Sequence, residues 1–510
     1  MLGALGCSLD DLTDGDDTGG AGTSSSAAVS SGGAGNQGGS GASSSGGQGG
    51  ASAGGAGGSQ PSNELWARGF GSLNDTQKGT AVAVDPSCPG GGCVVFAGYL
   101  TGSANFGGEE LSSAGSADGF VVSLDATGKH RWSAVFGDGS DQRVAGVAIG
   151  PDGGPVIAGR VRGAMTLPGD TLTLTAPEVY DGFVAKLDPA SGSAVWAAQF
   201  GEASDTGSDD NQYAETVAVD ADGNVIVAGL FGGTMVIGSD TLTSSDDQDV
   251  FVAKLDPLGA PIWALAVEGT ASSNVATVAV GAAGEVYLGG VFTGSLGAGC
   301  TPAVTAQGTD PFVIALAPAD GACLWARTWK NGSSTQFVRA LAAVEGDVVA
   351  AMDINGDVDL GSGLLQGSGY DVGLTRLSGD DGTPLWGWRT DDALNQNAAD
   401  VAVDASNGDI VLTGYYAAGL ELEGLPALFT TNGPDIFLAR FTAAGAALWA
   451  EGFGEESGDD RAFSVAVDAA GAELLTGAFT QTIDFGTTEV MSYGVDDIFI
   501  AKFGPGAPAP

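Results

Sequence analysis

Amide, cationic and aromatic side chains recur together at one register of this chain, and their chemistry suits ligand binding. An amide both donates and accepts hydrogen bonds, and neighbouring Arg, Lys and Tyr side chains favour hydroxyl-rich or peptide ligands. We therefore predict a ligand-binding site composed of Gln77, Lys78, Gln142, Arg143, Gln212, Tyr213, Gln336, Phe337, Gln396 and Arg461. The alternative is that each Gln bonds the backbone of its own or the adjacent repeat.

Carboxylates are by far the most abundant ionisable groups. The chain has 510 residues, with 62 Asp and Glu against 17 Lys and Arg, so its formal net charge is −45. This balance excludes nucleic-acid binding, which needs clustered basic residues. A single histidine, His130, excludes mechanisms that need a His pair or a His metal cluster. Carboxylates that converge in space would suit glycoside cleavage, at separations that a linear sequence does not reveal.

One acidic stretch resembles a calcium loop. Asp353, Asn355, Asp357 and Asp359 place oxygen ligands at positions 1, 3, 5 and 7 of such a loop. The stretch lacks the glycine at position 6 and the closing Glu of an EF-hand. Repeat register also places it across a strand and its turn. We expect no cofactor or metal, with calcium at these four residues as the alternative.

A second recurrent carboxylate opens one strand of every repeat. Such an Asp is expected to accept backbone N–H bonds in a turn, because a role present in every copy is more easily structural than catalytic. The seven residues are Asp118, Asp181, Asp249, Asp310, Asp371, Asp435 and Asp496.

The elements that position these residues repeat about every 64 residues. The period is marked by Trp66, Trp132, Trp196, Trp263, Trp325, Trp386 and Trp449, spaced 66, 64, 67, 62, 61 and 63 residues apart. Each repeat has four short segments rich in Val, Ile, Phe and Trp and bounded by Gly, Asp, Asn or Pro, a pattern that predicts strands. Four strands in each of seven repeats predict an all-β, seven-bladed β-propeller with four-stranded blades.

The repeats start out of phase with the blades. The first Trp segment, Leu65 to Gly71, precedes the first complete repeat, and the last repeat ends at Phe503 without a Trp segment. We predict that the Trp66 strand pairs with the last blade, built from Arg461 to Phe503, because closure removes the free edges of the array. In such a ring the glutamine register lies at one mouth of the central channel.

Four segments together carry a resemblance to a known family. They are Thr80-Ala-Val-Ala-Val-Asp85, Asp220-Ala-Asp-Gly-Asn224, Val225-Ile-Val-Ala-Gly229 and Asp249-Val-Phe-Val-Ala-Lys-Leu-Asp256. Residues 64–503 resemble the bacterial seven-bladed β-propeller (SBBP) repeat family. The resemblance implies the fold and an exported, surface-associated setting, and it implies no common catalytic activity. Asp125 to Trp132 is also similar to the Trp-bearing repeat of quinoprotein dehydrogenases and their non-enzymatic, membrane-tethered scaffold relatives.

The amino terminus resembles the end of a bacterial lipoprotein signal. Small residues precede Cys7, so we predict that residues 1–7 are the remnant of such a signal and that Cys7 is lipidated. The alternative is a cytoplasmic start with an unmodified cysteine. Residues 8–63, rich in Gly, Ser and Ala, predict a disordered tether with a reach of about 40 Å. Residues 504–510 predict a disordered tail, and no apolar run of transmembrane length occurs.

The other four cysteines fit an exported protein. An even count in an extracellular chain is first interpreted as disulfides, because that environment is oxidising. We expect Cys88 to pair with Cys93 and Cys300 to pair with Cys323. Each pair lies within a single repeat.

We expect a binding or scaffold module at the bacterial surface or outer membrane, lipid-anchored or secreted. Its partner would be a protein or a polysaccharide, its contact with the membrane would run through the amino-terminal lipid only, and it would be a monomer. One alternative is a carbohydrate-active hydrolase or lyase that uses carboxylates at the channel mouth. Another is a structural envelope protein without a specific ligand.

Overall fold

A computed structural model describes residues 63–506, apart from 74, 168–169, 174–178, 202–210, 246–247, 268–272, 298, 331–335, 368, 391–394 and 455–457. The chain divides into two units, Met1–Gly58 and Ser59–Pro510, and the described residues all belong to the second. Cys7, nearly all of the predicted tether and residues 507–510 lie outside them. None of the described residues forms a helix that is long and apolar enough to cross a membrane.

Seven four-stranded antiparallel sheets form from the described residues, and we call them blades 1 to 7 in chain order. Inner strands of successive blades contact one another, and the last contacts the first, which closes the ring. The predicted all-β, seven-bladed propeller is confirmed. From inner to outer strand, blade 1 is β2 Gln77–Asp85, β3 Cys93–Leu100, β6 Asp118–Leu124 and β7 His130–Phe136; blade 2 is β8 Gln142–Ile149, β9 Pro155–Val161, β12 Asp181–Leu187 and β13 Ala194–Phe200; and blade 3 is β14 Gln212–Val219, β15 Val225–Phe231, β18 Asp249–Leu255 and β19 Pro261–Val267. In the same order, blade 4 is β20 Ser273–Val280, β21 Val286–Phe292, β24 Asp310–Leu316 and β25 Cys323–Thr328, and blade 5 is β26 Phe337–Val344, β27 Asp347–Asn355, β30 Tyr370–Leu377 and β31 Pro384–Arg389. Blade 6 is β32 Gln396–Val403, β33 Ile410–Leu420, β34 Leu428–Phe441 and β35 Ala447–Phe453, and blade 7 is β36 Asp460–Val467, β37 Glu473–Phe479, β40 Asp497–Phe503 and β1 Glu64–Phe70.

A small hairpin joins the second and third strands of each blade. In blade 6 it is an extension of β33 and β34 themselves, in which Gly419 faces Phe429. The separate hairpins of the described chain are β4 Ser103–Asn105 with β5 Glu110–Ser112, β10 Ala164–Leu167 with β11 Asp170–Thr173, β16 Thr234–Ile237 with β17 Asp240–Thr243, β22 Ser295–Leu296 with β23 Val304–Thr305, β28 Val358–Asp359 with β29 Leu364–Leu365, and β38 Thr482–Asp484 with β39 Glu489–Met491.

The middle strands are buried on both faces, which explains their continuous apolar sequences. All eight residues of β3 are buried, for example, because neighbouring blades cover both faces of the sheet. Each inner strand carries a β-bulge near its start, in blade 1 between Gly79 and Ala81. The glycine that ends the second-strand motif faces this bulge. A Cβ on Gly98 would overlap the carbonyl oxygen of Lys78, so glycine is required for this close approach.

Six of the seven repeat tryptophans join their blade to the next one by a hydrogen bond between described residues. The indole Nε1 of Trp132, on β7, donates a hydrogen bond to the carbonyl of Pro189 in blade 2 at 3.0 Å. Gly192 of the same turn, with φ +72°, lies over the indole ring. We call this arrangement the Trp dock. Equivalent hydrogen bonds join Trp66 to Ala126 (3.1 Å), Trp196 to Pro257 (3.0 Å), Trp263 to Pro318 (3.2 Å), Trp325 to Gly379 (2.7 Å) and Trp386 to Ala443 (3.2 Å).

The basic residue of the third strand has a structural partner within its own blade. Lys254 Nζ lies 2.9 Å from Asp220 Oδ2, and both side chains are buried. Lys502 and Asp468 form the same pair at 2.7 Å in blade 7. A buried charge needs a close opposite charge to offset its lost hydration, so the two residues of the motif act together.

Ring closure follows the prediction from the repeat phase. Strand β1 pairs antiparallel with β40, with Trp66 opposite Lys502 and Phe70 opposite Ile498. Glu64 fastens the start of β1 to the hairpin of blade 7. Its carboxylate accepts hydrogen bonds from the backbone N–H groups of Thr487 and Thr488, both at 2.8 Å, and from their hydroxyls at 2.7 and 2.6 Å.

Both predicted disulfides are confirmed. Cys88–Cys93 closes the turn between β2 and β3, which is longer than the corresponding turns of the other blades. Cys300–Cys323 links the hairpin region of blade 4 to the start of β25. The hairpin strands of this blade are only two residues long, so the disulfide compensates for a short ladder.

Substituting the glycine of a Trp dock tests its contribution to stability. A Cβ at Gly192 would lie 2.5 Å from the Trp132 ring, whereas Gly424, with φ +85°, has no neighbour within 4 Å. We expect Gly424→Ala to lose about 1 kcal/mol of unfolding free energy from backbone strain and Gly192→Ala about 3 kcal/mol. Urea unfolding of the two variants measures the difference, and equal losses would show that the dock contributes little.

Removing the Glu64 carboxylate tests the fastening of β1. We expect Glu64→Ala to lose about 2 kcal/mol or more, because two backbone N–H groups lose their acceptor. Amide hydrogen exchange in residues 64–70 should accelerate more than exchange in β2. The exposed Glu109→Ala variant serves as the control. A uniform change across all blades would argue against a local role.

Candidate ligand-binding mouth

The predicted glutamines lie at the mouth but are completely buried. Four of them begin an inner strand, Gln336 directly precedes β26, and all five are 0% exposed. Gln77 Nε2 donates to Thr101 O at 2.9 Å, and Gln396 Nε2 donates to Gly419 O at 3.0 Å. Gln142 Nε2 lies 2.9 Å from Asp138 Oδ1, in the link that precedes its strand. These amides connect parts of the blades, and their side chains have no contact with solvent.

In all seven blades, the residue that follows the position of the glutamine is partly exposed, including the two blades that have another residue at that position. We call these seven residues, one on each inner strand, the mouth ring. They are Lys78, Arg143, Tyr213, Asn274, Phe337, Asn397 and Arg461. The sequence-based site contains five of them and lacks Asn274 and Asn397. The glutamine is buried and the next residue is partly exposed because consecutive side chains of a strand point to opposite faces of the sheet.

Four mouth-ring residues contact the second strand of the preceding blade. The guanidinium of Arg143 lies 4.3 Å from the ring centroid of Tyr99, and that of Arg461 lies 5.1 Å from the centroid of Tyr415. In blade 6, Asn397 Nδ2 donates to Asp353 Oδ2 at 3.0 Å. The side chains at one register therefore differ in chemistry from blade to blade.

Carboxylates two residues earlier hold two of the arginines. Arg143 Nε and Nη2 bind Asp141 at 3.0 and 3.1 Å, and Arg461 binds Asp459 in the same way at 2.8 and 3.1 Å. A guanidinium that is both stacked on a ring and bound bidentately has little freedom left to lose. These side chains are pre-organised at the mouth.

A further cluster borders Tyr213. The rings of Tyr180 and Tyr213 are 5.7 Å apart, and the guanidinium of Arg160 lies 5.5 Å from each. Arg162 lies 5.8 Å from the ring of Tyr180. Sequence reasoning missed Tyr99, Arg160, Arg162 and Tyr180. Strand pairing was the available signal, because β9 places Arg160 directly opposite Arg143.

Asp353 of the calcium candidate forms an ion pair within blade 5 and accepts hydrogen bonds from blade 6. Its carboxylate accepts hydrogen bonds from Arg339 Nε at 2.6 Å, Asn397 Nδ2 at 3.0 Å and the backbone N of Ala398 at 2.8 Å. Asp359 instead accepts the backbone N–H of Gly361 at 2.9 Å. Asn355 ends β27, and Asp357 is exposed in the turn that follows. Among the described residues, no group of three His, Cys, Asp or Glu side chains is placed to hold a metal.

The aspartates that open the third strands accept backbone bonds in the links before them. Asp118 Oδ2 accepts from Ala114 N, and Asp249 Oδ2 from Ser245 N, both at 2.7 Å. Burial raises the pKa of Asp118, with Asp138 and Asp141 adding to the effect. The seventh member is Asp497, and the choice of Asp496 was wrong. Asp497 begins β40 opposite Phe479 and is 1% exposed, and two adjacent aspartates concealed this register.

Hydrogen bonds between inner strands form a collar around the channel. Thr216 Oγ1 accepts the backbone N–H of Val278, and Thr277 Oγ1 accepts that of Leu341, both at 3.2 Å. At the same register of blade 6, Asp400 Oδ2 accepts the N–H of Val465 at 2.9 Å. Burial beside the narrow channel raises the pKa of Asp400 to about 6.

The glutamates with the most perturbed acidity lie away from the mouth. Burial raises the pKa of both Glu451 and Glu473 to about 7. Glu473 begins β37 at the opposite face of the ring, where it binds Arg440 Nη1 at 2.6 Å, and Glu451 lies within the outer strand β35. These two carboxyl groups do not form a pair at the mouth.

No family model and no curated protein matches this chain. Several solved propellers are similar to it at low identity. BamB from Moraxella catarrhalis shares 12% identity, with 85% of this chain and 97% of that chain covered and a TM-score of 0.36. The β-propeller domain of the Trilobed protease from Pyrococcus furiosus shares 8%, with 84% and 93% covered and a TM-score of 0.40. The Dos1 propeller shares 9%, with 86% and 96% covered and a TM-score of 0.41.

The collar carboxylate predicts a pH dependence of stability. Because the pKa of Asp400 in the folded chain is about 6 and its unfolded value is about 4, the unfolded state binds fewer protons between these values. Its contribution to stability therefore falls as the pH rises from 4 to 6. We compare the free energy of unfolding of Asp400→Thr, which copies Thr216, with that of the parent chain. We expect this difference to favour the variant by up to about 1 kcal/mol more at pH 8 than at pH 4.5. Urea unfolding at both pH values measures this, with the exposed Asp357→Asn as control; an unchanged pH slope would refute it.

Proposed function

We propose that this protein is a binding or scaffold module that recognises a protein or glycan partner through the mouth ring. One observation carries the proposal. Positions that build the blades repeat closely around the ring, whereas the mouth-ring register holds Lys, Arg, Tyr, Asn, Phe, Asn and Arg in turn. Architecture alone does not require seven partly exposed side chains of such different chemistry at one register. An asymmetric surface of this kind suits recognition of an asymmetric ligand.

The direction of the strands decides at which face the chain enters and leaves the propeller. Inner and third strands begin at the mouth face, so β1 begins and β40 ends at the opposite face. There the backbone N–H of Gly504 donates to Asn63 O at 2.7 Å, and Asn63 also bonds Gly506. The chain therefore enters and leaves the propeller at the face opposite the mouth.

The proposed setting is the bacterial outer membrane or cell surface, with the chain lipid-anchored or secreted. Two disulfides support an oxidising compartment outside the cytoplasm. A tether of about 40 Å would hold the propeller off a membrane surface. The high negative charge suits a soluble surface domain, because like-charged copies repel one another.

Mouth-ring substitutions test this function. The mouth variant replaces Lys78, Tyr213 and Phe337 by Ala. The matched control replaces the exposed Val236 and Leu258 by Ala. Both are compared with the parent chain on an array of acidic and neutral glycans and on immobilised envelope proteins. We expect the mouth variant to bind its partner at least tenfold more weakly and the control to bind normally. Binding that survives in the mouth variant would move the function to another surface.

A further inference from the structure

Four large apolar side chains are exposed together where the ring closes. Leu73, Met491, Tyr493 and Val495 are 72%, 57%, 61% and 59% exposed, and we call them the seam patch. Leu73 lies between β1 and β2, and Tyr493 and Val495 lie between β39 and β40. Both links are at the mouth face, next to Lys78 of the mouth ring.

Backbone contacts fix the two links against each other. Val495 N donates to Asp75 O, and Gln77 N donates to Asp496 O, both at 2.9 Å. Gly494 lies so close to the first link that a Cβ there would be 2.6 Å from Asp75 O and 2.8 Å from Ser72 O. A patch held in this way loses little conformational freedom when a partner binds.

Ring architecture does not account for the apolar side chains. The junction between blades 1 and 2 uses the corresponding links Ser113-Ala-Gly-Ser-Ala117 and Gly137-Asp-Gly-Ser-Asp141, which contain no large apolar residue. Six other exposed apolar residues, such as Val195 and Leu385, precede the repeat tryptophans singly, one in each blade except blade 1. Only at the seam, within the described chain, do three exposed large apolar side chains come from two adjoining links, and Met491 ends the neighbouring strand β39. An exposed apolar cluster of this kind marks an interaction site.

The charges around the patch indicate which partner fits. Asp75, Glu489 and Asp496 lie beside its residues in sequence, and the nearby cation is Lys78. The chain as a whole carries a formal charge of −45, so a second copy of itself would be repelled. Leu, Met and Val offer no hydrogen bonds to a sugar, whereas Tyr and Met are enriched at protein interfaces.

We propose that the seam patch docks a basic protein segment whose apolar side chains pack on Leu73, Tyr493 and Val495. The inference deepens the proposed function by naming its partner class and rests on that function. Lysine or arginine of the segment pairs with the surrounding carboxylates, and its apolar residue covers the patch. The mouth ring beside the patch supplies further contacts.

A synthetic peptide of alternating Lys and Leu probes this surface directly. Isothermal titration at 0.15 M salt compares it with a Glu–Leu peptide and a Lys–Ser peptide of equal length. We expect the Lys–Leu peptide to bind the full chain at least tenfold more tightly than either. Leu73→Ser combined with Val495→Ser should weaken its binding at least tenfold, and the control Val236→Ser with Leu258→Ser should leave it unchanged.

Hydrogen exchange on the unmodified chain gives a second readout that needs no variant. The Lys–Leu peptide should slow exchange in residues 75–78 and 491–497. Equal binding of the Glu–Leu peptide, full binding by the seam variant, or protection elsewhere would overturn the seam inference. If the mouth variant loses an array partner while the seam variant keeps it, the proposed function stands and the seam inference fails. If neither variant loses any partner, both fail.

Discussion

The hydrogen bond from a tryptophan indole to the next blade's turn is the interaction on which the ring depends. A β-sheet blade has no partner for its outer strand, so neighbouring blades must be joined at their rims as well as at the channel. The Trp dock does this by placing a large ring against a glycine whose positive φ and missing Cβ make room for it. Six such bonds, found among the described residues, link Trp66 round to blade 6. Trp449 differs, because its buried Nε1 has no partner in the described part of the chain. The junction of blades 6 and 7 has instead a cluster in which Arg440 binds Asp404, Asp409 and Glu473.

Closure at the seam uses different chemistry from the other junctions. Blade 7 takes its outer strand from the start of the propeller, so the hydrogen bonds of β1 with β40 must replace a covalent turn. Glu64, Asn63 and the links around Asp75 and Asp496 add contacts between residues that are more than 400 positions apart. The exposed apolar residues lie at this same junction. The seam is thus both the place where the ring is fastened and a place where several apolar side chains are exposed.

Many of the few basic residues of this acidic chain fall into two groups. Five of the 17 basic residues lie on third strands and neutralise carboxylates. They are Lys186, Lys254, Arg376, Arg440 and Lys502. Several of the others surround the mouth, where Arg143, Arg160 and Arg461 stack on tyrosines. A local concentration of cations in a chain of charge −45 alters the potential at that surface. Blade stability and recognition therefore draw on separate sets of charged residues.

The sequence alone determined the blade count, the four strands of each blade, the mode of closure and both disulfides. The blade count and the four strands depend on local patterns that recur seven times, so each repeat confirms the interpretation of the others. Closure follows from the phase of the repeats, and the disulfides follow from the even cysteine count and the position of each pair within one repeat. Tertiary structure decided which side chains face solvent. The pairing register and the bulge of each inner strand set which of two consecutive side chains is buried, and so Gln77 is buried while Lys78 reaches the mouth. Spatial pairing also assigned Asp353 to Arg339 and gathered Leu73 with Tyr493, because contacts between distant segments are not encoded in their spacing.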